Sequence, residues 1–155
     1  MQRNDLLAWM DLELTSIDDV TRDKITEIAV ILTDKDLTVV AEGPDIVIHV
    51  PPELFEGISP GAVAIHEANN MQALVAASTT SATEAEAQVL AFLKEHVTEK
   101  STPLCGNTIW MDRHFLRVQM PAVDEYLFSR DDRNVAREVA GRRTRWVAVV
   151  AAHLL

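Results

Sequence analysis

Apolar positions in the first half of the chain come in short continuous runs, and only later do they recur at helical spacing. Leu6 to Leu12 is apolar on both faces until Asp11, the pattern of a buried strand. Ser16 to Lys24 is polar and reads as a loop. Ile25 to Thr33 is rich in β-branched residues and predicts a second strand, followed by a turn at Asp34 to Asp36. Leu37 to Ala41 and Asp45 to Val50 are also strand-like, with Gly43-Pro44 as a bend or bulge between them. Pro51-Pro52 stops that element. Residues 53–82 are less regular: Gly57, Pro60 and Gly61 interrupt the early part, and a short helix starts near Ala62. Glu84 to Val97 places Val89, Leu90, Leu93 and Val97 on one helical face, with Thr83 as the expected N-cap. Thr102 to Cys105 is a short strand ended by Gly106-Asn107. Thr108 to Met120 is a helix stopped by Pro121, and Ala122 to Phe128 is a further short helix. Three strands, helix, strand, helix predicts an α/β domain with a mixed sheet.

Composition narrows the class. With 155 residues, 48% of them apolar and 25% charged, the chain is long enough for one domain with a real core. The longest apolar run, Trp146 to Ala152, is far too short to span a membrane. Residues 1–5 show no secretory pattern, and Cys105 is the sole cysteine, so no internal disulfide forms and a cytoplasmic location is expected. A net charge of −10 argues against a long duplex as partner, because neutralising many phosphates takes a basic face. The charge is uneven. Residues 1–128 hold 8 Lys or Arg and 21 Asp or Glu, a net −13; residues 129–155 hold 6 Arg, no Lys and 3 acids, a net +3. The chain thus divides into a domain over 1–128 and a divergent Arg-rich tail over 129–155.

Candidate chemistry begins in WMDLELTSID, residues 9–18. Strand residues two apart share a face, so Asp11 and Glu13 project together. Two adjacent carboxylates repel and raise at least one pKa, a conflict that a hard cation such as Mg²⁺ or Mn²⁺ resolves. Alternatively Glu13 lies past the strand end and is solvated. A third acid, Asp112, stands three residues after Ile109 and three before Phe115, at the edge of an apolar helical stripe. It is a ligand candidate or a flanking charge.

Five segments taken in order, DLELT (11–15), AEGPDIVIHV (41–50), AIHEANN (64–70), LCGNTIWMDRHFL (104–116) and MPAVDEYL (120–127), resemble oligoribonuclease. This is a family of the DEDD 3′-to-5′ exonuclease superfamily with a ribonuclease-H-like fold. The resemblance covers roughly residues 5–128. It implies that Asp11, Glu13 and Asp112 are catalytic metal ligands for two divalent ions, Mg²⁺ or Mn²⁺, about 3.5–4 Å apart around a scissile phosphodiester. It implies a substrate of short oligoribonucleotides and a homodimer. Ile17 matches an aliphatic wedge between bases, His66 a histidine near the terminal phosphate, and Thr108 a hydroxyl that helps hold it. Arg130 matches half of a Tyr-Arg pair that caps the partner's substrate, although the tyrosine position here is Ser129. Each has a structural alternative: Ile17 packing under its loop, His66 at the surface, Thr108 as an N-cap. His49, His96 and His114 are read as structural or surface residues, Trp9 and Trp110 as core, Cys105 as inert.

The resemblance also calls for a late histidine, the general base, and an aspartate five residues after it. In these 155 residues no such pair occurs. His153 is followed by two leucines, and Asp131 and Asp132 come too early. The fold is therefore expected to be a ribonuclease-H-like sheet incomplete at its C-terminal end, with no general base found. A shifted reading frame or a mis-assembled gene end is the leading explanation for the tail, tested by resequencing: an intact frame encoding the same tail would sink it. Two function classes remain, an impaired exoribonuclease and a catalytically dead remnant that binds short oligonucleotides or a partner subunit.

Overall fold

The structure is a computed structural model, which describes residues 1–68, 70–106 and 109–128, without the side chains of 65–68. Strands β1 (Leu7–Leu14), β2 (Ile25–Thr33) and β3 (Val39–Val47) are followed by a 3-10 turn at Pro52–Phe55. Then come α1 (Pro60–Ala68), α2 (Met71–Ala77), α3 (Ala82–His96), β4 (Leu104–Cys105), α4 (Ile109–Gln119) and α5 (Pro121–Tyr126). The sheet runs β3-β2-β1-β4. β1 is antiparallel to β2 and parallel to β4, and β3 is antiparallel to β2, so the sheet is mixed, as the element order predicts.

Alternation along the strands sorts side chains onto two faces. Ala8, Met10 and Leu12 of β1 and Ile28, Val30 and Leu32 of β2 join the main core with Val89 and Leu93 of α3 and Phe115 and Leu116 of α4. Trp9, Ile31, Leu37 and Cys105 form a smaller cluster. The Trp9 indole N–H donates to Thr33 Oγ1 at 2.8 Å, so its one polar atom is satisfied in the core. Two and four residues on from Trp9 along β1 stand Asp11 and Glu13, and both are half-buried.

Gly43 and Pro44 do form a bulge, but inside one continuous strand rather than between two. Ala29 pairs with Asp45 and Ile31 with Glu42, so both residues stand opposite Val30. Pro44 is tolerated because, among the described residues, β3 is an edge strand of the sheet. A Cβ on Gly43 would lie 2.7 Å from the Phe92 ring and 2.8 Å from the Val30 carbonyl oxygen. Gly43→Ala should therefore cost about 2 kcal/mol, read as a lower urea midpoint with unchanged slope. A midpoint equal to that of the unaltered chain would show that Phe92 gives way freely.

Local expectations fail where a side chain takes over backbone hydrogen bonds. Leu37 is not in a strand: it has φ 65° within the β2–β3 turn. Asp34 Oδ1 builds that turn by accepting from the N–H groups of Asp36 (2.8 Å) and Thr38 (2.9 Å). α3 begins at Ala82, and its N-cap is Ser81, not Thr83. Ser81 Oγ accepts the Glu84 N–H while Glu84 Oε2 accepts the Ser81 N–H, a reciprocal capping box. α1 starts at Pro60, and α2 was not anticipated. Only Met71 and Val75, four apart, are buried along α2, too short a stripe to announce a helix.

Candidate carboxylate site

The short β4 builds the site. It pairs with Ala8 and Trp9, and among the described residues no strand pairs with β1 from Met10 onward on that side. The chain then passes Met10 closely: a Cβ on Gly106 would lie 2.9 Å from the Met10 carbonyl oxygen. α4 starts at Ile109, and Phe115 and Leu116 bury themselves in the main core. This seats Asp112, which is 8% exposed, against that edge, with the Leu12 amide close enough to favour its charged form.

Burial and the nearby charge of Asp11 push Asp112 up to about 7, with a smaller push from Glu13; hydrogen bonds from the Asp112 and Leu12 amides oppose the rise. Burial also raises Asp11. Glu13 faces Glu27 across the β1–β2 pair. Burial raises Glu27 to about 7, reinforced by a hydrogen bond to Asp45 and the charges of Asp45, Glu13 and Asp11. Glu27 escaped the sequence reading. Its signal was an acid inside an otherwise apolar β-branched run, but its place opposite Glu13 depends on strand register, which is not local.

Among the described residues, no Lys, Arg or His forms an ion pair with Asp11, Glu27 or Asp112. An all-oxygen, anionic, partly desolvated donor set suits a hard divalent cation in kind. As arranged, however, no three His, Cys, Asp or Glu among the described residues are gathered closely enough to hold a metal ion. The donors fit the cation chemically while the cage they form is open.

Ile17 is 61% exposed and does not pack under its loop. It lines a cleft of about 330 Å³ with Leu12, Glu13, Leu14, Ser16, Ser59, Gly61 and Ala62. A larger cleft of about 540 Å³ lies between the 3-10 turn and α2, but none of its lining residues is ionisable. His66 falls on α1 with its side chain outside the described set; Thr108, Ser129 and Arg130 lie outside the described residues, as does the whole 129–155 tail. Trp110 is a correction: it is 64% exposed on α4, because Phe115 and Leu116 fix the helix with Trp110 turned outward. Trp9 is buried, and burial pushes the Cys105 thiol up to about 12, so it stays protonated and inert near neutrality. His49 and His114 are exposed, and His96 Nδ1 lies 2.9 Å from the Phe92 carbonyl oxygen. Among the described residues, no helix is long and apolar enough to cross a membrane.

The RNase_T exonuclease family model matches residues 8–155. An oligoribonuclease of Pseudomonas aeruginosa is 43% identical over 143 residues, spanning 92% of this chain and 79% of that protein. One from Francisella tularensis is 44% identical over 130 residues, spanning 84% of this chain and 72% of that protein. Among solved structures, E. coli exonuclease I in complex with a dT13 oligonucleotide superposes with a TM-score of 0.54 at 19% identity, over 73% of this chain and 23% of that one. Exonuclease I from Methylocaldum szegediense gives 0.54 at 22% identity, over 72% and 22%. The chain thus spans less than a quarter of these exonuclease I structures, and the likeness is one of fold. Taken with the sequence identities, the mixed sheet and the acids at its open edge, the chain belongs to the oligoribonuclease family of RNase_T exonucleases.

Proposed function

We propose that the chain acts on short oligoribonucleotides as a metal-dependent 3′-to-5′ exoribonuclease, releasing mononucleotides. The observation that carries this is the seating of Asp112 against the β1 edge, raised to about 7 by burial and by Asp11 and Glu13, with no cationic side chain paired to it among the described residues. Asp11, Glu13 and Asp112 hold the divalent ions in this reading. When bound, Mg²⁺ or Mn²⁺ supplies positive charge that activates water and stabilises the departing 3′-oxygen. Ile17 stacks on a base in the cleft beside Glu13, and His66, Thr108 and Arg130 engage the phosphate end. Short substrates suit an acidic protein, since a few contacts replace a basic groove. A cytoplasmic location and a homodimer belong to the same reading.

These 155 residues carry no His-plus-Asp pair of the kind the resemblance requires. General acid–base help is worth about 10²–10⁴ in rate. A polypeptide of these residues alone should hydrolyse a labelled RNA dinucleotide in Mn²⁺ more slowly than the P. aeruginosa relative by about that factor. A rate close to the relative's overturns the impairment. The open cage favours a second reading, a non-catalytic binder of short oligonucleotides or of a partner subunit. Calorimetric Mn²⁺ titration separates them: two-ion binding supports the enzyme, and a single weak site supports the binder.

A further inference from the structure

The loop that links β1 to β2 is held far more firmly than an exposed connector needs to be. Its neck is closed twice: the Thr15 N–H donates to the Lys24 carbonyl at 2.9 Å, and the Lys24 N–H to Thr15 Oγ1 at 3.0 Å. Inside it, Asp23 is fully buried, and its Oδ2 accepts the N–H groups of Asp18 (3.0 Å) and Asp19 (2.9 Å). Gln119, the last residue of α4, reaches into the same loop. Its Nε2 donates to the carbonyls of Val20 (3.1 Å) and Asp23 (2.7 Å), and its Oε1 accepts the Ile25 N–H at 3.2 Å. A primary amide has two donors and an acceptor, and all three functions are used here. On the far side, Arg22 Nη2 donates to the Glu56 carbonyl at 2.7 Å, tying the loop to the segment that leads into the opposite wall of the cleft.

We propose that Gln119 and Asp23 are positioning residues that clamp this loop to the helix carrying Asp112. The clamp fixes the distance between the exposed Ile17 and the carboxylates, so that a base resting on Ile17 presents its phosphodiester to them. Ordering a backbone residue costs roughly 1–2 kcal/mol, so a ten-residue loop without such ties would not hold an exposed isoleucine in one place. The ligand in this inference rests on the proposed function; the clamp itself is a property of the protein alone.

Two variants test it, Gln119→Met, which keeps the shape, and Gln119→Glu, which keeps the acceptor and loses both donations. Amide hydrogen exchange on the 155-residue chain should speed up by about tenfold or more across the loop, while β2 and α3 keep their protection. Binding of a fluorescent RNA dinucleotide in Mg²⁺ should weaken about five- to tenfold in both variants, with Mn²⁺ affinity unchanged. In an Ile17→Ala background, Gln119→Met should have no further effect, because the clamp acts through Ile17. Unchanged loop exchange, a uniform rise in exchange over the whole chain, or effects of Gln119 and Ile17 that add in full would each overturn the inference. If the unaltered chain binds no dinucleotide, the proposed function fails, and exchange alone judges the clamp.

Discussion

Asp112→Asn is expected to lower dinucleotide hydrolysis by about a thousandfold and to weaken Mn²⁺ binding by at least about tenfold. Asparagine keeps the shape and still places an oxygen beside the Leu12 amide. What disappears is the negative charge at the point where Asp11, Glu13 and Asp112 press on one another. Calorimetry accompanies the rate measurement because the starting rate of this chain is itself expected to be low. Unchanged Mn²⁺ affinity in the variant would remove Asp112 from the site.

Without divalent cations the protein is expected to be more stable at pH 5 than at pH 8. Asp112 has a folded-state pKa of about 7 against an ordinary value of 3.8, so the folded protein binds its proton more tightly than the unfolded chain does. Stability from that proton is fully present below about pH 4 and is lost as pH rises through about 7. Its full size is on the order of 4 kcal/mol. Glu27, also raised to about 7, adds in the same direction, but by much less because it is half-exposed. The cluster titrates jointly rather than group by group. Asp5, Asp19 and Glu84 are lowered by their hydrogen bonds and act in the opposite sense, but only in more acidic solution, below their ordinary values. Urea midpoints in chelator at pH 5 and pH 8 provide the measurement. Asp112→Asn should flatten the slope, and Mn²⁺ should restore stability at pH 8. A flat profile in the unaltered chain would mean that the acids do not repel one another as described.

Sequence pattern recovered those parts of the fold in which burial and period coincide. β2 runs from Ile25 to Thr33 as read, because it is buried on nearly every position. β1 was read to Leu12 but pairs on to Leu14, since its half-buried acids broke the apolar run without breaking the ladder. Ser81 was passed over as a cap because the apolar stripe of α3 announces itself only further along, whereas the cap is fixed by hydrogen bonds with Glu84. Trp110 was read as core from its residue type, yet helix orientation is set by Phe115 and Leu116, and that turns it to solvent. At the site, Asp11 and Glu13 were legible as a pair from strand geometry. Asp112 was legible as a candidate at the edge of its helical stripe, but its seat beside Asp11 appears only once α4 is docked, and Glu27 was legible only once β1 and β2 are in register.

The two-residue β4 also bears on how this chain can change in length. Each further residue paired to β1 would extend the ladder past Trp9 toward the Leu12 amide beside Asp112. Insertions and deletions between Cys105 and Ile109 should therefore be the most tightly restricted in the domain, although exposed connectors usually drift freely in length. A longer link would favour the sheet and displace the acid; a shorter one would pull Gly106 off the Met10 carbonyl it grazes. In this fold the number of residues in one small connector, as much as their identity, keeps the space beside β1 open to Asp112.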